Sequence, residues 1–291
     1  ALVDPIEFPP LAKATVPGDR VALALDQNVP CVTAIVAGVV RVLVEIGIHP
    51  HDITLVQNPN SEPSNGGDPR ASLPRQFASR VCLVEHDATD PGQLCYLAAS
   101  STNRPIYVNR SIYDADVVLP VGCLRHTSTR RLNAYHSSVF PAFSNHETIE
   151  RFRSPSNGDR TVDQENRQQE VDEASRLLGI AMTIGVIPGA DGQALSILAG
   201  DVKSVFATGQ KLCDTAWSCP VSRRAGLVVA SIGGDHAEQS WENVGRALAA
   251  AMQVVEDDGA VVICSDLTTV PGPALSQLGD AFDLENALHK T

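Results

Sequence analysis

The chain has 291 residues and a mass of 30.9 kDa, room for two domains of ordinary size and too much for a disulfide-stapled miniprotein. Its 22 Lys and Arg against 34 Asp and Glu give a net charge of −12 and a pI of about 5.0, a field that repels nucleic-acid backbones and anionic lipid headgroups. Hydrophobic residues at 43% and charged residues at 19% exclude disorder as the dominant state, and an aromatic share of 4% describes a core of Ala, Val, Leu and Ile.

The opening segment, ALVDPIEFPPLAKATVPGDR, has acids and prolines where a leader peptide has a basic stretch followed by an apolar one, and predicts no targeting sequence. RVALALD, Arg20 to Asp26, reads as a buried strand, and QNVP breaks it. The apolar run from Cys31 to Ile48 approaches membrane-spanning length, but Arg41 and Glu45 one helical turn apart predict a helix packed on a sheet. A helix stop at Gly47 and a second strand around Ile53 to Val56 complete a βαβ unit, parallel by the crossover rule. His49 and His51 flank a proline in the turn and are expected to face solvent. The polar, Gly/Pro/Ser-rich stretch from Asn58 to Pro74 follows a strand's carboxyl end, where α/β sheets place ligand loops, and is a candidate pocket wall.

RVCLVEHD, RPIYVNR and ADVVLPVG predict three further strands in a sheet of at least five, with ADVVLPVG, the most apolar, central. Leu124 to Arg153 is loaded with His, Arg, Ser and Asn, a composition that in so long a connection points to function. QENRQQEVDEASRLLG predicts a surface helix with Val171, Ala174, Leu177 and Leu178 on one face; a hairpin of IAMTIGVIP with ALSILAGD and a helix from Lys203 to Ala216 follow. A composition shift at CPVSRRAG sets a boundary near residue 223, beyond which GLVVASIGG, a helix from about Glu238 to Val255, and AVVICSD begin a second βαβ unit. The expected fold is α/β: two lobes, residues 1–223 and 224–291, with mainly parallel sheets and a cleft between them.

Seven cysteines, an odd number without a CxxC pair, read as reduced, buried thiols of a cytoplasmic protein. GxxxxGK[ST], GxGxxG after a strand and GxSxG are all absent, which removes the central motif of P-loop, dinucleotide-binding and hydrolase-elbow readings. HETIE lacks a second His four residues after the first, and the spacing of His126, His136 and His146 is too loose to specify zinc, so no metal site is assigned. His126, just after the central strand, is the leading pocket residue; its alternative is a capped loop histidine. Glu62 is a pocket acid or a solvated loop residue, and Asp26 an Asx-type organiser of its loop. Arg130, Arg131 and Arg153 form an anion site or pair with surface carboxylates.

Taken together, VPGDRVALALD, GIHPHDITLV, VEHDATD, RPIYVNRSIYDADVVLPVG, ALSILAGD, VVASIGGD and AVVICSD, in this order, resemble the nickel-pincer lactate racemase family. The resemblance implies two α/β lobes with an active site between them and inversion of a 2-hydroxy acid by hydride transfer to a pincer cofactor. It further implies that in the family two histidines move the hydroxyl proton, a lysine anchors the cofactor and a further histidine ligates nickel.

Carried over position by position, the family's DxTRP loop stands here as Asp26-Gln27-Asn28-Val29-Pro30, which makes Asp26 and Asn28 the cofactor-side residues and replaces the arginine with Val29. Glu62 falls where the first catalytic histidine belongs, and His126 matches the second. His136 or Ser137 falls at the anchoring lysine, and Arg153 near the nickel histidine. Between Lys13 and Lys203 the chain has no lysine at all. In the second lobe Glu238, Asn243 and Arg246 occupy family positions, and Arg246 keeps a positive charge suited to a substrate carboxylate.

The expectation is thus a lactate racemase-like protein that acts on or binds a small 2-hydroxy acid or related carboxylate in the cleft between its lobes, has no nucleic-acid or membrane partner, and does without the covalent nickel-pincer nucleotide. If it is an enzyme it is a racemase or epimerase, with His126 and Glu62 catalytic and Arg246, Asn243 and Arg153 holding substrate. The alternative is a non-catalytic relative that binds a small anion or nucleotide.

Overall fold

The computed structural model describes residues 1–27, 29–58, 67–125, 138–154, 160–189, 192–234 and 239–271. By its internal contacts the chain divides into two units, Ala1–Ser218 and Cys219–Thr291. The first unit runs α1 (Leu11–Ala14), β1 (Val21–Leu25), α2 (Val32–Ile46), β2 (Ile53–Gln57), α3 (Arg75–Ala78), β3 (Cys82–Glu85), β4 (Leu94–Ala99), β5 (Pro105–Asn109), α4 (Arg110–Tyr113), β6 (Val117–Cys123), α5 (His146–Arg153), α6 (Arg160–Leu177), β7 (Met182–Pro188), β8 (Ala194–Asp201) and α7 (Val202–Trp217).

Six strands form one sheet in the order β3-β2-β1-β6-β7-β8, parallel except for the β7/β8 hairpin. All five residues of β1 are buried, as expected of a parallel strand covered on both faces. On α2, Ile35, Val36, Val39, Val40 and Leu43 recur at helical spacing and enter the core with Leu23, Leu55 and Leu119 of the strands. Gly47, at φ 106°, closes α2 by donating to the carbonyls of Leu43 and Val44, a left-handed cap that suits glycine. At the start of α7 the Asp201 carboxylate accepts from the Ser204 N–H.

Three expectations are corrected. RPIYVNR forms β5, but it pairs antiparallel with β4 in a separate two-stranded sheet. The short connection between them closes a local hairpin, whereas a parallel place in the main sheet needs a long crossover. On α6, Val171 and Ala174 are buried but Leu177, the last residue of the helix, is 51% exposed. The seven cysteines are free thiols, yet only Cys213 is buried; Cys31, Cys82, Cys219 and Cys264 are exposed. Cys82 sits on the edge strand β3, and an apolar neighbourhood in sequence does not bury a residue on a sheet edge.

The second unit contains β9 (Ala225–Ser231), α8 (Trp241–Ala251) and β10 (Val255–Cys264), with β9 and β10 parallel. Ser240 caps α8 by accepting from the Asn243 N–H. Among the described residues no helix is long and apolar enough to cross a membrane.

Candidate functional site

The chain leaves β1 toward β2 and β3 on one side and later returns to β6 on the other, so the strand order reverses between β1 and β6. At such a point the two outgoing loops diverge and leave a crevice beyond the carboxyl ends of the strands. Asp26 follows β1 directly there, its N–H donating to the Val121 carbonyl at 2.9 Å. Its Oδ1 accepts from the Gln27 N–H at 2.8 Å, one residue on, where an Asx turn would bond two residues on.

A cavity of about 60 Å³ opens beside this carboxylate. Asp26, Cys123, Ser138 and Thr183 give it polar groups, and Leu124, Ile184, Val202, Val205 and Phe206 an apolar wall. Two glycines line it. Gly122 of β6 and Gly185 of β7 are register partners, so two adjacent side chains are missing from the sheet. A Cβ on Gly122 would lie 3.3 Å from Ser138 Cβ, 3.6 Å from Ser138 Oγ and 3.9 Å from Asp26 Oδ2; it is this position that Asp26 and Ser138 share. Leu124 fills the room left by Gly185 and by Gly209 of α7, while its N–H donates to the Val186 carbonyl and its carbonyl accepts from the Cys213 thiol. Thr183 donates its hydroxyl hydrogen to the Pro120 carbonyl.

The segment that carries Ser138 is tied down from behind. Asn109 N–H donates to the Phe143 carbonyl at 2.8 Å, Ser144 Oγ to the Tyr107 carbonyl at 2.7 Å, and buried His86 bridges the Ser144 carbonyl at 2.8 Å and the Asn109 amide at 3.0 Å. Burial pushes the His86 pKa below the ordinary histidine value, against the opposing pull of the Ser144 carbonyl.

Of the residues expected at the site, Asp26 lines the cavity. Asn28, Glu62, His126, Arg130, Arg131 and His136 lie outside the described residues. Arg153 is 70% exposed at the end of α5 and pairs with Glu150 at 3.3 Å, the surface pairing weighed as its alternative. Arg246, exposed on α8 of the second unit, donates to the Asn243 side-chain oxygen at 2.7 Å. His49 and His51 are exposed, as expected. Among the described residues no cluster of three His, Cys, Asp or Glu could hold a metal ion. Ser138, Gly122, Cys123 and Thr183 were not singled out from the sequence. The available signal was a glycine in each of two apolar strands, VVLPVGC and MTIGVIP.

The family model for the lactate racemase N-terminal domain matches residues 1–157. The chain belongs to this family. In fold it is similar to the lactate racemase apoprotein from Thermoanaerobacterium thermosaccharolyticum, at 15% identity with a TM-score of 0.70 over 92% of this chain and 66% of that one. It is also similar to a structural-genomics protein from Thermotoga maritima, at 15% identity with a TM-score of 0.56 over 77% of this chain and 61% of that one. The chain thus spans less than two thirds of the length of either structure. No curated protein sequence matches it.

At two described positions, Val29 and Lys203, the side chains do not supply the phosphate contact or the anchor of the lysine-linked cofactor that the resemblance implies. Val29, in the place of the phosphate-binding arginine, is 7% exposed and packs in the hydrophobic core. Lys203 is exposed on α7, whereas Val202, Val205 and Phe206 of the same helix are the residues that line the cavity.

Proposed function

We propose that this lactate racemase family member binds a small 2-hydroxy acid in the cavity at the carboxyl ends of β1 and β6, and does so without a lysine-anchored nickel-pincer nucleotide. The observation that carries this reading is the cavity's position and lining: it lies at the strand-order reversal of a lactate racemase-like fold, with a carboxylate, a hydroxyl and an apolar wall in a space of about 60 Å³. One water needs roughly 10–15 Å³ on this measure, so the space suits a fragment of about four heavy atoms. A nucleotide is far larger, and the described lining has an acid and no cation, which argues against the nucleotide alternative.

His126 follows Leu124 by two positions and is the proposed proton-transfer residue if the bound acid is turned over, with Glu62 the proposed second one. Ligand-observed NMR and calorimetry against lactate, glycolate, malate and a nucleoside monophosphate test the reading, with chiral analysis for turnover. Binding of a short 2-hydroxy acid at millimolar affinity or better, weakened at least fivefold in Asp26→Ala, is the expected result. Binding of the nucleotide alone, or of no acid, overturns it.

A further inference from the structure

The sheet of the second unit has one face covered and one open. Register partners in β9 and β10 share a face, so Leu227 and Val229 stand with Ala260 and Val262 on one side, and Val228 and Ala230 with Val261 and Ile263 on the other. α8 packs on both strands, and the Val228 side is the half-buried one. On the opposite side Leu227, Val229 and Val262 are 59%, 61% and 45% exposed. Residues 227–231 and 260–264 contain no charged side chain, so nothing in their composition suits this face to water, and a parallel sheet ordinarily has both faces covered.

The chain that leaves β10 is held at the carboxyl end of this sheet. Ser265 Oγ and the Asp266 N–H donate to Gln239 Oε1 at 2.7 and 3.0 Å, and the Trp241 indole N–H donates to the Thr269 carbonyl at 3.0 Å. Residues 272–291 follow; they lie outside the described residues and belong to the same unit as the sheet. Their sequence has the spacing of an amphipathic helix, with Leu275, Leu278, Ala281, Phe282, Leu284 and Leu288 recurring three, four and seven apart. Asp280 and Asp283 fall on the opposite side, and of the acids only Glu285 enters the apolar stripe. Pro273 precedes the run as a first helical residue and Lys290 follows it with the charge that a helix end favours. One helix, about 10 Å across, covers two strands about 4.8 Å apart. A second copy seated on the same three side chains would fall well short of the roughly 800 Å² per partner of a stable interface. We infer that the open face of β9 and β10 is the docking surface for this chain's own C-terminal segment, residues 274–288, which lies across it as a helix with Leu278 and Phe282 against Val229 and Val262. The second unit is thereby a sheet between two helices, and its stability depends on the segment.

Methyl-resolved NMR on the full chain tests this, using a mixture of labelled and unlabelled molecules to separate contacts within one chain from contacts between two. Nuclear Overhauser contacts within one molecule are expected from Leu278 or Phe282 to Val229 or Val262. The Ala225 and Ile232 N–H groups, which donate to the Val254 and Cys264 carbonyls, report on the sheet itself. Val229→Asp and Phe282→Asp should each lower the exchange protection of these two amides at least tenfold and leave that of Leu23 in β1 unchanged. The double variant should lose little more than either single one, because both remove the same contact. Should a variant fail to fold, the contacts in the unaltered protein still decide. Contacts between two molecules assign the face to a second copy and overturn the inference. Contacts from the first unit to this face, or none from residues 274–288, overturn it as well, and so does protection that Phe282→Asp leaves unchanged.

Discussion

The imidazole of His86 and the side-chain amide of Asn109 are 3.0 Å apart, and this contact assigns the ring's protons. The amide nitrogen donates, so Nδ1 accepts; Nε2 then carries the hydrogen and donates it to the Ser144 carbonyl. Both ring nitrogens are thereby committed in the neutral form, and a proton added at Nδ1 would turn an attraction into a clash of two donors.

Stability should accordingly fall as the solution is acidified past the ordinary histidine range. The folded state holds the His86 pKa below its unfolded value, chiefly through burial, so the unfolded chain takes up the proton first. The contribution is complete above about pH 6.5 and is lost as pH falls from there through the folded value. Each unit of depression corresponds to about 1.4 kcal/mol. Thermal midpoints between pH 8 and pH 5 should show this slope in the unaltered protein and a flatter one in His86→Gln; equal slopes would remove His86 as the cause.

Gly185→Ala is expected to destabilise the first unit by about 1–3 kcal/mol, the range for overpacking a filled interior. The added methyl would stand inside the Leu124 side chain and 3.0 Å from Val205 Cγ1. Combining it with Leu124→Ala should recover part of the loss, since the residue it collides with is removed. Denaturant midpoints of the two single variants and the double variant form the cycle, and strict additivity would show that the two positions do not compete for one space.

Arg151 and Glu170 form a two-pronged pair at 2.9 and 2.6 Å, with the Glu170 side chain 4% exposed and the guanidinium 4.8 Å from the Phe152 ring centroid. Glu170→Ala leaves the half-buried guanidinium without its carboxylate and should cost about 3 kcal/mol. Replacing both residues with apolar ones of similar volume should cost much less, because the desolvation of both charges is removed as well. Chemical denaturation of the two variants compares the two costs; an equal loss in both would contradict the argument.

At Gly200 the backbone lies against Ile6, and its φ is 146°. The Ile6 N–H donates to the Ala199 carbonyl and the Asp201 N–H donates to the Ile6 carbonyl, so the N-terminal segment forms a bridge along β8. Gly200→Ala should release this contact and lower the thermal midpoint by several degrees, with backbone amide exchange rising at Ile6 and Asp201. Unchanged exchange at both amides would refute it.

Much of the first unit was legible along the chain because its signals are local. Apolar runs of strand length, the helical spacing of Ile35, Val36, Val39, Val40 and Leu43, the stop at Gly47 and the crossover rule together determine a parallel α/β sheet with ADVVLPVG in its middle. Asp26 was legible too, as the acid that ends the first strand. Tertiary structure decided the rest, since it depends on which distant segments meet. Ser138 lines one cavity with Asp26 only where a sheet places β1 beside β6, and Gly122 and Gly185 lie side by side only because β6 and β7 align them in register. Cys82 and Leu177 are apolar in context yet exposed, one on a sheet edge and the other at a helix end, places that hydrophobicity along the chain does not encode.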